Sequence, residues 1–186
     1  TILDSQTVFL KDDILCMIND LPFAIAVIDA DRKVVLANKM ACMFVNKENH
    51  QLVGLVGGAA FGCIHHDDVP QGCGFGKQCL KCKLRLTVND TLENNREHFM
   101  TETSMTFHSI GRRSLRITTQ PFKLQKGKAV LLSIEDITEV KQYEQAEIEK
   151  EKLAAVVQTA GAICHEINQP LMAILGFSEL LMDDIR

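Results

Sequence analysis

The sequence predicts an α+β fold, a five-stranded antiparallel sheet with flanking helices, followed by one long coiled-coil or bundle helix. Three observations carry this reading. Two apolar runs flank a polar turn near residue 30, and three β-rich runs lie between residues 97 and 137. A glycine- and cysteine-rich segment separates the two groups, and beyond residue 138 glycine and proline nearly vanish. Strands bounded by turn residues, followed by an uninterrupted helical pattern, give that architecture.

Taken in order, residues 8–21 place Val8, Leu10, Ile14, Leu15, Ile18 and Leu21 close to helical spacing, which predicts a short leading helix over 1–21. The run Phe23 to Ile28, the polar turn Asp29 to Lys33 and the run Val34 to Ala37 predict two antiparallel strands. Asn38 then suits a helix cap, with Met40, Ala41, Met43, Phe44 and Val45 supplying the apolar face up to about Asn46. Residues 53–82 hold seven of the eleven glycines together with Pro70, a composition poor for regular structure. "EHFMTETSMTFHS", "RRSLRITTQPFKL" and "KAVLLSIEDI" predict a three-stranded meander. In the helix of 139–186, Leu153, Val157, Ala160, Cys164, Ile167, Leu171, Ile174 and Leu181 follow steps of four and three, missing only Ser178, so that two such helices would pair in a homodimer. The organisation is therefore 1–21, a domain of 22–138 with a cysteine-rich insert at 53–86, and 139–186.

Composition narrows the function classes. The apolar share of 46% and charged share of 24% suit a globular chain, and the net charge of -4 makes nucleic acid an unexpected partner. No apolar stretch approaches the ~20 residues that span a bilayer; "LVGLVGGAAFGCI" is short and broken by glycines. No membrane contact is expected from this chain. Its start at Thr1, without a leader, reads as a piece of a longer protein, with an upstream anchor left open.

Seven cysteines with no signal peptide point to the reducing cytoplasm. Cys16, Cys42 and Cys164 read as small buried hydrophobes. Cys63, Cys73, Cys79 and Cys82 form a C-x9-C-x5-C-x2-C pattern, and a C-x-x-C loop turns both sulfurs toward one ion. Four thiolates suit either Zn²⁺ or an iron–sulfur cluster, and spacing alone does not separate the two. Disulfides formed in air, or a reversible thiol switch, are the competing readings. The neighbouring "HHDD", residues 65–68, could add an imidazole ligand if one cysteine is not used, although adjacent polar residues in a loop are more often solvated or capping.

Within the last helix, "AICHEINQPLMAILGFSELL" resembles the phosphoacceptor box of two-component sensor histidine kinases, over roughly residues 150–186. The resemblance implies that His165 accepts a phosphoryl group from ATP and that Glu166 orients or deprotonates it. In that family the residue four positions after the histidine helps position water for dephosphorylation of the partner response regulator; here it is Gln169, where Asn or Thr is common. Pro170 is expected to bend the helix. No nucleotide-binding lid follows, so ATP is expected to act only through a catalytic domain of the full-length kinase, and this chain should not autophosphorylate unaided.

The order helix, two strands, helix, irregular segment, three strands, then "EDIT" at 135–138 resembles a PAS sensor domain over about residues 12–138. In that family Asp136 would tie the sheet to the outgoing helix, and ligands sit between the sheet and helices that the cysteine segment is expected to replace. The combined expectation is the sensory and dimerisation portion of a sensor histidine kinase, in which a four-cysteine metal site controls His165. The alternatives are a PAS module for dimerisation or ligand binding, and a thiol redox switch without phosphate chemistry.

Overall fold

In a computed structural model, which describes residues 16–124 and 127–183, the chain divides into two compact units, 1–138 and 139–186. The expected leading helix lies outside the described residues as far as residue 15; residues 16–20 are helical and are called α1.

The two apolar runs pair as β1 (Ala24–Asp29) and β2 (Val34–Ala37), and the three later runs form β3 (His98–Phe107), β4 (Gly111–Leu124) and β5 (Gly127–Asp136). They make one antiparallel sheet in the order β2-β1-β5-β4-β3. Burial explains the two kinds of sequence pattern. Ala24 to Ile28 are all buried, so β1 needs a continuous apolar run, whereas β4 buries only alternate residues, Leu115, Ile117 and Thr119. The turn between β1 and β2 is tied by the Asp29 carboxylate, which accepts from the backbone N–H of Asp31 and Lys33 at 3.0 and 2.9 Å.

Asn38 performs the predicted capping of α2 (Lys39–Val45) and more. Its Oδ1 accepts from Ala41 N and Ile25 N, each at 2.9 Å, while its Nδ2 donates to Ile18 O and Phe23 O at 3.0 and 2.9 Å. A buried amide with its bonding capacity used in this way ties α1, β1 and α2 together.

The segment after α2 contains α3 (Asn49–Leu52), α4 (Gly57–Phe61) and a 3₁₀ turn (Lys77–Lys81), followed by α5 (Lys83–Asn94). The cysteine segment therefore does not replace the helices beside the sheet. It precedes α5, which packs on β3, β4 and β5. The helix is hard to read in "KLRLTVNDTLEN" because its inner face mixes Leu84 and Val88 with two buried threonines, Thr87 and Thr91. Thr91 Oγ1 and Thr119 Oγ1 are hydrogen-bonded at 2.9 Å, which lets hydroxyls sit in an apolar layer.

The described part of the second unit is formed by α6 (Thr138–Asp183), a helix of 46 residues that begins at the last residue of the first unit and continues through Pro170. Thr138 starts it: its backbone N–H donates to Asp136 Oδ1 at 2.9 Å, and its hydroxyl oxygen accepts from Ser114 N at 2.9 Å.

Candidate metal site and phosphoacceptor segment

The four clustered cysteines are placed by backbone turns on glycine. Gly62 closes α4 with a left-handed φ of 70°, turning the chain so that Cys63 N donates to Gly58 O at 2.9 Å. The same stretch is pinned to the end of β3, since Ile64 N donates to Thr106 O at 3.1 Å and His108 N to Gly62 O at 2.9 Å. Cys73 folds over α4: a Cβ added to Gly58 would sit 2.4 Å from Cys73 Sγ, so only glycine admits the sulfur there. Cys79 is buried within the 3₁₀ turn, its thiol donating to His65 O at 3.9 Å, and Cys82 occupies the residue before α5.

All four line one cavity of about 250 Å³ between α4, the 3₁₀ turn, α5 and β3, together with His65, Arg32 and Arg85. They also sense one another. Burial pushes the Cys63 thiol up, a hydrogen bond with the His65 backbone opposes it, and Cys82, Cys73 and Cys79 push it up further. Burial likewise raises Cys73, opposed by the Gly58 backbone, with Cys79 and Cys82 raising it and Arg32 lowering it. All seven cysteines are free thiols. Cys16 and Cys164 are exposed and Cys42 half-buried, contrary to the buried placement expected of them. Cys42 packs against the core while staying half-buried, and Cys164 lies on α6, where no described residue of this unit covers it.

Among the described residues, the ligand atoms of His66, Asp67 and His108 all lie within 4.8 Å of one another, while no three cysteine sulfurs do. This trio joins residues 42 positions apart through the pairing of segment 62–64 with β3. The other half of "HHDD" is a local hydrogen bond between His65 Nδ1 and Asp68 Oδ2 at 2.8 Å.

On α6, His165 and Glu166 are exposed. The Gln169 amide, one turn later on the same face, donates to His165 Nε2 at 3.4 Å. The seam residues Leu153, Val157, Ile167, Leu171 and Ile174 are exposed as well; the side chain of Leu181 lies outside the described residues. No described helix is long and apolar enough to cross a membrane.

This arrangement of sheet and helices is the PAS fold. It matches the PAS domain of an HTR-like protein from Haloarcula marismortui with a TM-score of 0.52 and 13% identity, covering 72% of this chain and 97% of that one. A PAS domain from a two-component sensor histidine kinase matches with a TM-score of 0.50 and 9% identity, covering 70% and 98%. An RNA-binding Light-Oxygen-Voltage receptor matches with a TM-score of 0.56 and 16% identity, covering 79% and 39%. At the level of sequence, no family model matches. Over 53 residues the chain is 45% identical to Sporulation kinase A of Bacillus subtilis (strain 168), a stretch that makes up 28% of this chain and 9% of that kinase.

Proposed function

We propose that this chain is the sensory and dimerisation portion of a two-component sensor histidine kinase, with a metal held by Cys63, Cys73, Cys79 and Cys82 as input and His165 as output. The observation that carries the reading is the exposed His165–Glu166 pair, with the Gln169 amide on the imidazole, in a helix that follows a PAS-fold unit in the chain. The identity shared with Sporulation kinase A supports it.

In the proposed reaction a ring nitrogen of His165 attacks the γ-phosphorus of ATP, which is bound by a catalytic domain of the full-length kinase. The N–P bond forms as the bond from that phosphorus to the β–γ bridging oxygen breaks. ADP departs and Glu166 takes up the imidazole proton. The phosphoryl group then passes to a response regulator. Gln169, which already reaches the ring, is the residue proposed to position water when the regulator is dephosphorylated. The exposed apolar stripe of α6 would be covered by a second copy of the helix in a homodimer.

At the input end, zinc or an iron–sulfur cluster would replace the thiol protons, draw together sulfurs no three of which lie within 4.8 Å of one another in this structure, and staple a glycine-rich segment, contributing on the order of 10 kcal/mol to folding. A change at the cluster would repack the sheet face and alter how His165 is presented.

In full-length protein, His165→Gln is expected to abolish phosphate incorporation from ATP while leaving the melting temperature unchanged; phosphate retained on the variant would overturn the assignment. For the input, metal analysis with a visible spectrum is made on protein purified without oxygen. Iron with sulfide and a brown colour, or stoichiometric zinc in colourless protein, is the expected result. Metal-free protein with fully reduced thiols would instead leave the thiol switch. Cys82→Ser is expected to lose the metal and loosen residues 53–86, read as faster amide exchange there; metal retained in that variant would overturn the four-cysteine set.

A further inference from the structure

Arg32 and Arg85 enter the cysteine cavity from opposite parts of the fold. Arg32 sits in the β1–β2 turn with a left-handed φ of 63°, and Arg85 lies in the first turn of α5, three residues after Cys82. Both guanidiniums press on Gly74, the residue after Cys73. A Cβ built there would lie 2.6 Å from Arg32 Nη1 and 3.1 Å from Arg85 Nε, and the φ of 105° at Gly74 also favours glycine.

Two cations brought side by side repel unless an anion lies between or beside them. Among the described residues, no carboxylate pairs with either arginine; Asp68, which packs against Gly76, is engaged with His65. Arg85 Nε is moreover buried without any acceptor, and the Arg85 Nη1 bond to Cys79 O is long, at 3.5 Å. An unsatisfied buried donor is uncommon in folded proteins and calls for a partner.

The groups in this cavity that can become anionic are the four thiols. Four thiolates on one divalent ion leave two net negative charges, which two guanidiniums would neutralise. We propose that Arg32 and Arg85 are the counter-charges of the metal-bound thiolate set, donating N–H groups to cysteine sulfurs once metal has displaced the thiol protons. The inference rests on the four-cysteine reading above, and it gives Gly74 a reason: a side chain there would push both cations out of the cavity.

The test is an anaerobic titration of the reduced 186-residue chain with Co²⁺, following the thiolate-to-cobalt charge-transfer absorption. It is carried out on wild type, Arg32→Leu, Arg85→Leu and Arg85→Lys. Each leucine variant is expected to bind Co²⁺ about 10- to 100-fold more weakly, the usual effect of losing a group that supports a metal ligand. Arg85→Lys should recover part of the loss. The metal-free melting temperature of Arg85→Leu should hold or rise, because an unpaired buried donor has been removed. Unchanged Co²⁺ affinity in both leucine variants would overturn the proposal. So would a fall in affinity matched by an equal loss of metal-free stability that lysine does not rescue, since that pattern marks a structural arginine. A wild-type chain that shows no thiolate band on adding Co²⁺ would overturn the four-cysteine reading itself, a result distinct from both.

Discussion

The sheet unit and α6 use the same apolar residue types to opposite ends. In the first, Leu115, Ile117 and Leu132 are fully covered, at 0% exposure; in the second, Leu153, Ile167 and Leu171 stand at 64%, 54% and 50%. One unit closes its apolar surface on itself, with α2 and α5 packed on the five-stranded sheet. The other, taken by itself, is one helix whose described apolar stripe is exposed, and in the proposed homodimer a second copy of that helix covers it. The sheet unit is thus stabilised by its own core, whereas α6 would gain its apolar packing in the proposed homodimer.

The difference can be sharpened experimentally. Ile167→Glu is expected to convert a dimer to monomer by light scattering, because it puts a carboxylate into the proposed seam, while the melting of the sheet unit stays where it was; a dimer that survives would move the interface off this face. Leu132→Ala should do the reverse. It should cost about 2–5 kcal/mol in denaturant unfolding through the cavity left under β5, without altering the mass of whatever dimer remains. An equal loss from Leu153→Ala would erase the contrast between the two units.

The smallest expected effect lies at the surface of the sheet unit. A hydrogen bond from the Asn94 amide, and after it one with His98 at 2.8 Å, hold the Asp90 carboxyl below the usual aspartate range. A depressed folded value means that the stabilisation is complete above the unfolded value, about 3.9, and is lost as pH falls through the folded one. Wild type should therefore melt slightly above Asp90→Asn at pH 7, and the two curves should converge in acid. Divergence in acid would reverse the sign of the argument.

Much of this fold was legible beforehand because its signals are local. The apolar run of β1, the Asn38 cap and the Gly- and Pro-free stretch of α6 each state their conformation within a few residues. The helix α5 was not legible, since the threonines on its inner face look polar until Thr119 of β4 arrives to pair with Thr91. The C-x9-C-x5-C-x2-C spacing identified four candidate ligands, but the two arginines that share their cavity carry no motif. Arg32 and Arg85 are 53 residues apart and meet only because a turn and a helix converge on Gly74. "HHDD" was legible as a possible source of an imidazole ligand, but that His66 and Asp67 lie beside His108 was not, for the same reason.

By itself, then, the sequence determined the strands and the long helix, and it supplied the candidate residues on which the proposed phosphoryl and metal chemistry rests, because period, capping and side-chain type act over short distances along the chain. Only the tertiary structure decided which of those groups share a cavity, which thiols are buried and which apolar stripe is left uncovered. Those outcomes depend on packing between segments far apart in the chain, and burial, charge pairing and pKa are set by whatever that packing brings alongside.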